Sequence, residues 1–209
     1  MDKQIYWESR YIQEGKIWGD SPSKSAYAAL KLFLANNVKT VLVPGSGYGR
    51  NTTLFSASGM DVTGIEISET AYKMAGQFDP RSNFYNGTIL DMSFDNRRYD
   101  AIYCYNVLHL FHQSERELLI NQCIGKLKER GLAYFVVFSN VESTFGQGTE
   151  TEPNTFESKP GRPVHYFTEA DLKRQFHNFK IIDIGTLQEP ENHGRDAHIH
   201  ILRYIFAKL

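Results

Sequence analysis

The chain has 209 residues, 23 basic and 24 acidic side chains, and a formal net charge of −1. Apolar residues make up 41%, a globular composition that excludes a disordered chain. The balanced charge lacks the basic excess of many nucleic-acid binders, and the length suits a single domain over 1–209.

Cys104 and Cys123 sit inside periodic apolar segments and read as buried thiols, not as metal ligands or a disulfide. The opening MDKQIYWESR has no apolar h-region of a signal peptide. No stretch reaches the ~18 apolar residues of a membrane span, so a soluble, cytoplasmic protein is expected.

In chain order, SPSKSAYAALKLFLANN reads as a helix, with Ser21 as its cap, Pro22 at the first helical position and Asn36-Asn37 at its end. KTVLV (39–43) is a short β-branched run and so a buried strand. Arg50 to Ser58 suits a helix closed by Gly59. DVTGIEI (61–67) is a second strand, and SETAYKMAGQF (68–78) a helix. NFYNGTIL (83–90) holds a third strand, and YDAIYCY (99–105) is a fourth. QSERELLINQCIGKLKE (113–129) is an amphipathic helix with a capping box, Ser114 to Glu117. GLAYFVVFS (131–139) is a fifth strand. Strand and helix alternate with short connections, which predicts an open parallel α/β sheet.

The pattern then changes. Residues 140–163 (NVESTFGQGTETEPNTFESKPGRP) are polar and rich in Gly, Pro, Thr and Glu, and read as a long lid or binding loop. TEADLKRQF follows with a capping box from Thr168 to Asp171. FKIIDIGTL (179–187) and AHIHILRYIFAKL (197–209) read as a terminal antiparallel strand pair at the sheet edge.

The candidate site starts at VLVPGSGYGR (41–50). A buried strand runs into Gly45, Gly47 and Gly49, and glycines there let backbone approach a ligand at the strand's carboxyl end. The dinucleotide pattern G-x-G-x-x-G is not met, because Arg50 stands where its third glycine belongs. Glu66 ends the second strand, where a carboxylate can accept from both hydroxyls of a ribose. Asp91, just past the third strand, suits the exocyclic amine of an adenine, with Ile67 and Met92 over the ring faces.

Together, VLVPGSGYGR, VTGIEIS, GTILDMSF, YDAIYCYNVLHLF and ERGLAYFVVFS resemble the class I S-adenosylmethionine-dependent methyltransferases. The likeness is detailed over 1–139 and follows strand order to the end. It implies a Rossmann-like α/β fold, a seven-stranded mostly parallel sheet with helices on both faces and an antiparallel C-terminal strand. The implied cofactor is S-adenosyl-L-methionine. By the resemblance Gly45, Ser46 and Gly47 lie against its methionine part, Glu66 takes the ribose, Ile67 and Met92 flank the adenine, Asp91 binds its amine, and Asn106 faces it beside the active site.

Most members carry an acidic residue where Val43 stands. The LVPG-x-G version, with YWESRYIQEGKIWGDSPS before it, resembles the thiopurine and thiol/halide methyltransferases. GYGRNTTLFSASGMDVTGIEIS and YFTEADLKRQF resemble the tellurite-resistance methyltransferases. These groups act on small, soft nucleophiles, so the partner expected is a small-molecule methyl acceptor, with no nucleic acid and no membrane.

Residues 1–36 read as an N-terminal helical lid, and 140–166 as a substrate-side loop. Tyr6, Trp7, Tyr11 and Trp18 either cover the sulfonium with aromatic faces or pack the first helix on the sheet. Tyr11 and Trp18 are the lid residues assigned to the cofactor. No catalytic group is assigned, and His109, His165 and Tyr166 are candidates. His193, His198 and His200 read as packing or pocket-edge side chains, with no metal site assigned. The competing readings are an S-adenosylmethionine-binding protein without turnover and an NAD-dependent oxidoreductase.

Overall fold

The computed structural model describes residues 3–192 and 197–209. Its strands are β1 (Thr40–Pro44), β2 (Asp61–Glu66), β3 (Asn83–Asn86), β4 (Tyr99–Tyr105), β5 (Leu127–Phe138), β6 (Thr149–Glu152), β7 (Thr155–Lys159), β8 (Arg162–His165), β9 (Lys180–Asn192) and β10 (Ala197–Lys208). Its α-helices are α1 (Lys3–Glu14), α2 (Lys24–Ala35), α3 (Thr52–Ala57), α4 (Glu69–Phe78), α5 (Gln113–Lys126) and α6 (Glu169–Gln175).

Seven strands form one sheet in the order β3-β2-β1-β4-β5-β10-β9. β1 pairs in parallel with β2 on one side and β4 on the other, so the strand order reverses at β1. That reversal opens a crevice at the carboxyl ends of β1 and β4. β10 runs antiparallel to both β5 and β9, as the two terminal segments predict.

Strand alternation feeds two cores. Leu42, Ile102, Cys104, Phe135 and Val137 pack on one face, while Val41, Val43, Tyr103, Tyr134 and Val136 pack on the other. Both faces are buried, which is why these strands read as continuous apolar runs. The thiols of Cys104 and Cys123 are free and buried.

Several local expectations are corrected. α2 is capped by Ser23, not Ser21, and Pro22 lies ahead of the helix. Ser23 wins because its hydroxyl meets the Ala26 N–H at 3.2 Å, while Glu189 from β9 accepts from the N–H groups of Lys24 and Ser25 at 2.7 and 3.2 Å. α5 starts after His112, whose N–H donates to Glu115 at 3.1 Å, so the box sits two residues earlier than Ser114 and Glu117. The box at Thr168 and Asp171 forms as expected.

Residues 140–163 are not a plain loop. β6, β7 and β8 form a separate three-stranded antiparallel sheet. Its turns hold Asn154 at φ 60 and Gly161 at φ 74, each just after a proline. Pro-Asn and Pro-Gly pairs flanked by Thr, Phe and Val were the sequence signal for hairpins here. β9 also runs through QEPEN, the segment expected to be connector. It tolerates Pro190 because it is an edge strand.

Gly64 in β2 fixes how closely the glycine loop seats on the sheet. A Cβ there would lie 2.5 Å from the Phe84 ring and 2.6 Å from Ser46 Oγ. Gly64→Ala should therefore destabilise the fold by about 1–3 kcal/mol through overpacking, read as a lower midpoint in urea denaturation.

Candidate active site

The loop after β1 turns three times through left-handed backbone, at Gly45 (φ 66), Gly47 (φ 57) and Gly49 (φ 87). Each glycine thus has its own conformational reason, beyond clearance for a ligand. The Gly45 and Ser46 N–H groups donate to the Ile65 carbonyl at 2.8 and 3.0 Å. Gly47 N–H donates to Glu66 Oε2 at 2.9 Å, and Ser68 N–H to Oε1 at 2.8 Å. A Cβ on Gly45 would meet Val107 at 2.5 Å, and one on Gly47 would meet the Tyr11 hydroxyl at 2.9 Å.

Glu66 is 5% exposed. Burial raises its pKa to about 7, against the lowering effect of the Ser68 and Gly47 N–H groups. An ionised carboxylate there has acceptor capacity left beyond its two backbone donors.

α1 lies across the mouth of the crevice. Glu8 accepts from Ser68 Oγ and Thr70 Oγ1, both at 2.6 Å, and so fastens α1 to the start of α4. Lys3 pairs with Glu115 of α5 at 2.5 Å. Trp7, Tyr11, Trp18 and Tyr48 make a ring cluster with successive centroids 6.2–6.4 Å apart. Two loop residues hold the lid down. Tyr48 donates to the Gly19 carbonyl at 2.6 Å, and Arg50 to the Trp18 carbonyl at 3.0 Å.

Below this lid is a cavity of about 800 Å³. Tyr11, Trp18, Gly45, Ser46, Gly47, Glu66, Ile67, Asn106, His109 and Tyr166, all named from the sequence, line it. Asp91, Met92 and His165 do not. Asp91 is exposed and its carboxylate accepts from the Ser93 N–H at 3.0 Å, as a turn former does. Met92 is fully buried in the core. Thr88, Ile89 and Leu90 occupy the cavity wall instead. His165 bonds through Nδ1 to Thr155 Oγ1 at 2.8 Å, and burial pushes its pKa down to about 3. It is a neutral core histidine.

Two lining side chains carry buried oxygens without partners among the described residues, Ser46 Oγ and Asn106 Oδ1. Asn106 sits in left-handed backbone at φ 54, with its N–H bonded to the Val136 carbonyl at 2.9 Å. Such strain and such unmet acceptors are costly unless a ligand uses them. His109 stacks on Phe138 with centroids 4.2 Å apart, and its Nδ1 is likewise unpartnered. Burial, followed by the charge of Arg162, holds its pKa well below the ordinary value, so the ring is neutral. Tyr166 donates to Thr144 at 2.9 Å.

His198 and His200 also line the cavity, with Nε2 atoms 2.9 Å apart, and His200 packs against the same Phe138 ring as His109. His200 Nδ1 lies 3.1 Å from Glu142. Among the described residues no group of three or more His, Cys, Asp and Glu side chains is arranged to hold a metal ion. His193 lies outside the described residues. No described helix is long and apolar enough to cross a membrane.

Tyr48, Arg50 and Glu8 were missed by sequence reasoning. The signal for the first two was their position: they fill the gaps between the glycines and beyond them, facing the lid.

A seven-stranded sheet with this order, and a crevice at β1 lined by a glycine loop and a strand-end carboxylate, defines the class I methyltransferase architecture. Residues 42–135, which run from β1 through most of β5, match the family described as a methyltransferase domain. No curated protein sequence matches the chain. Solved structures share the fold across nearly its whole length. One was determined for the conversion of a disulfide bond into a thioacetal group during echinomycin biosynthesis: TM-score 0.78, 17% identity, covering 99% of this chain and 91% of that one. The 1,6-didemethyltoxoflavin-N1-methyltransferase of Burkholderia thailandensis, solved with S-adenosylhomocysteine, gives TM-score 0.72 and 20% identity over 98% of this chain and 86% of that one. TehB from Haemophilus influenzae gives TM-score 0.68 and 16% identity over 97% of this chain and 66% of that one.

Glu66 also predicts a stability profile. Its folded pKa of about 7 exceeds the ordinary 4.5, so between those values the folded chain holds a proton that the unfolded chain releases. The stabilisation is complete below pH 4.5 and is lost as pH rises through 7. Glu66→Gln should remove this fall, as measured by thermal melting at pH 5.5 and pH 8.

Proposed function

We propose that the protein is an S-adenosyl-L-methionine-dependent methyltransferase acting on a small-molecule acceptor, a soft nucleophile such as a thiol, a selenium or tellurium species, or a thiopurine-like compound. One observation carries the reading. Three polar groups face a single cavity over the glycine loop: the Glu66 carboxylate and the unpartnered oxygens of Ser46 and Asn106. They fit the ribose and the methionine end of that cofactor. Ile67 and Ile89 to Leu90 supply the apolar wall for its adenine.

Bound there, the cofactor supplies a methyl group on a cationic sulfur that is already a good leaving group. The chain's own work is then alignment and exclusion of water. α1 and Trp18 cover the cofactor half, with the rings of Tyr11 and Trp18 on the sulfonium side. Residues 140–166 form the acceptor side through Thr144 and Tyr166. The candidate bases suit an acceptor that arrives already ionised. His109 is held neutral by burial, can accept a hydrogen bond, and is a weak proton acceptor. That favours thiolate-like nucleophiles over amines and hydroxyls.

Labelled S-adenosylmethionine incubated with thiols, selenite, tellurite, thiopurines, halides and an aromatic amine tests the acceptor class. Transfer to a sulfur, selenium or tellurium species is expected. Transfer only to the amine would overturn the soft-nucleophile reading, and tight NADH binding without S-adenosylmethionine binding would overturn the whole. Gly47→Val should abolish cofactor binding, because its side chain would meet Tyr11 from a left-handed residue. Calorimetry with S-adenosylhomocysteine reads the loss, and circular dichroism should show the fold retained. Ribose binding also needs the ionised form of Glu66, so cofactor affinity should rise with pH through about 7. Affinity that stays flat from pH 6 to pH 8 would remove Glu66 from the ribose role.

A further inference from the structure

Arg162 opens β8 and lines the acceptor side of the cavity. Its guanidinium lies over the Tyr6 ring, 5.7 Å from the centroid. Its Nε is buried and has no hydrogen-bond partner. The groups that act on its charge are Tyr6, whose hydroxyl also accepts a hydrogen bond from the guanidinium, a second cation, Arg10, and Tyr166, and among the described residues no carboxylate joins them. Its charge also acts on His109, which is neutral.

The acids that line the same cavity are committed elsewhere. Glu66 accepts from Gly47 and Ser68. Glu115 pairs with Lys3, and Glu157 accepts from the Gly161 N–H. Glu191 accepts from the Tyr105 hydroxyl at 2.7 Å and faces Arg50 at 3.7 Å. A guanidinium set among aromatic rings beside a like charge, with no counter-ion among the described residues, is an expensive arrangement in a folded chain. An anion brought by a ligand relieves both the desolvation and the Arg10 repulsion. The planar fork of arginine matches a carboxylate in two parallel hydrogen bonds, which a lysine could not offer. Tyr6, Phe138 and Tyr166 supply ring faces around it.

We propose that the acceptor carries a carboxylate in addition to its nucleophilic atom, and that Arg162 binds this carboxylate and so sets specificity. This rests on the methyl-transfer reading for the acceptor's role, but the anion site itself is separable from it. The cationic end of the cavity then selects aromatic or short aliphatic carboxylates over neutral compounds of the same shape.

Benzoate and benzamide, titrated calorimetrically into the chain alone and into the chain saturated with S-adenosylhomocysteine, isolate the site. Benzoate should bind at least tenfold tighter than benzamide. Arg162→Gln should erase that preference and leave benzamide and S-adenosylhomocysteine affinities unchanged, while Arg162→Lys should keep part of it. In turnover, 4-mercaptobenzoate should exceed 4-mercaptobenzamide at least tenfold in kcat/KM, and Arg162→Gln should level the two. Equal or undetectable binding of both probes by the unaltered chain overturns the proposal, as does a preference that survives in Arg162→Gln. Failure of S-adenosylhomocysteine to bind would instead overturn the methyl-transfer reading, and the comparison on the chain alone would still decide this one.

Discussion

One buried carboxylate holds the candidate site together. Glu66 sits at the end of β2, beside the strand that feeds the glycine loop, and its two oxygens are shared between that loop and the start of α4. Ser68 is part of the same knot, because its hydroxyl both caps α4 and donates to Glu8 of the lid. Loop, helix and lid therefore share one short polar chain, Glu66 to Ser68 to Glu8. Burial opposes the charge on Glu66 and the backbone donors favour it. The balance leaves a group that stabilises the fold best when protonated and serves as an acceptor best when ionised. Stability and ligand binding thus pull in opposite directions at one side chain.

The centre of the fold was legible because its elements are repetitive. VLV, AIYC and the LAYFVV part of β5 run apolar without interruption, and the structure buries both faces of each. Glu66 was found by its distance from the glycines. Other parts resisted for physical reasons. Asp91 stood in the expected register, but a local turn to Ser93 offered its carboxylate a partner at no cost in ordering. The small sheet β6–β8 was hidden by composition, since its strands are short and polar and its hairpins announce themselves only through Pro-Asn and Pro-Gly. The three glycines carried a mixed message. Their left-handed backbone is a demand of the loop itself, and the nearest obstacle to a Cβ is Val107 at Gly45, Tyr11 at Gly47 and Thr52 at Gly49.

The lid is bound at both ends and in the middle. Glu8 ties it to α4, Lys3 to α5, and Tyr48 with Arg50 to the glycine loop. Arg50 does double duty, because its guanidinium also lies near the Tyr105 ring and Glu191 on the far wall. The residue that breaks the dinucleotide pattern is thus the one that links cover, loop and sheet edge. Beneath these polar ties Tyr11, Ile17 and Tyr48 form a small buried cluster with Trp7 and Trp18 packed against it, so lifting the lid would cost apolar burial as well.

Both tryptophans of the chain, Trp7 and Trp18, lie in this cover, and their rings are 6.2 Å apart against Tyr11 and Tyr48. Selective excitation near 295 nm would therefore draw emission from the lid and from nothing else in the molecule. The protein carries its own optical reporter: the colour and intensity of that emission would register any change in the packing of α1 and Trp18 over the cavity, without a label or an altered residue.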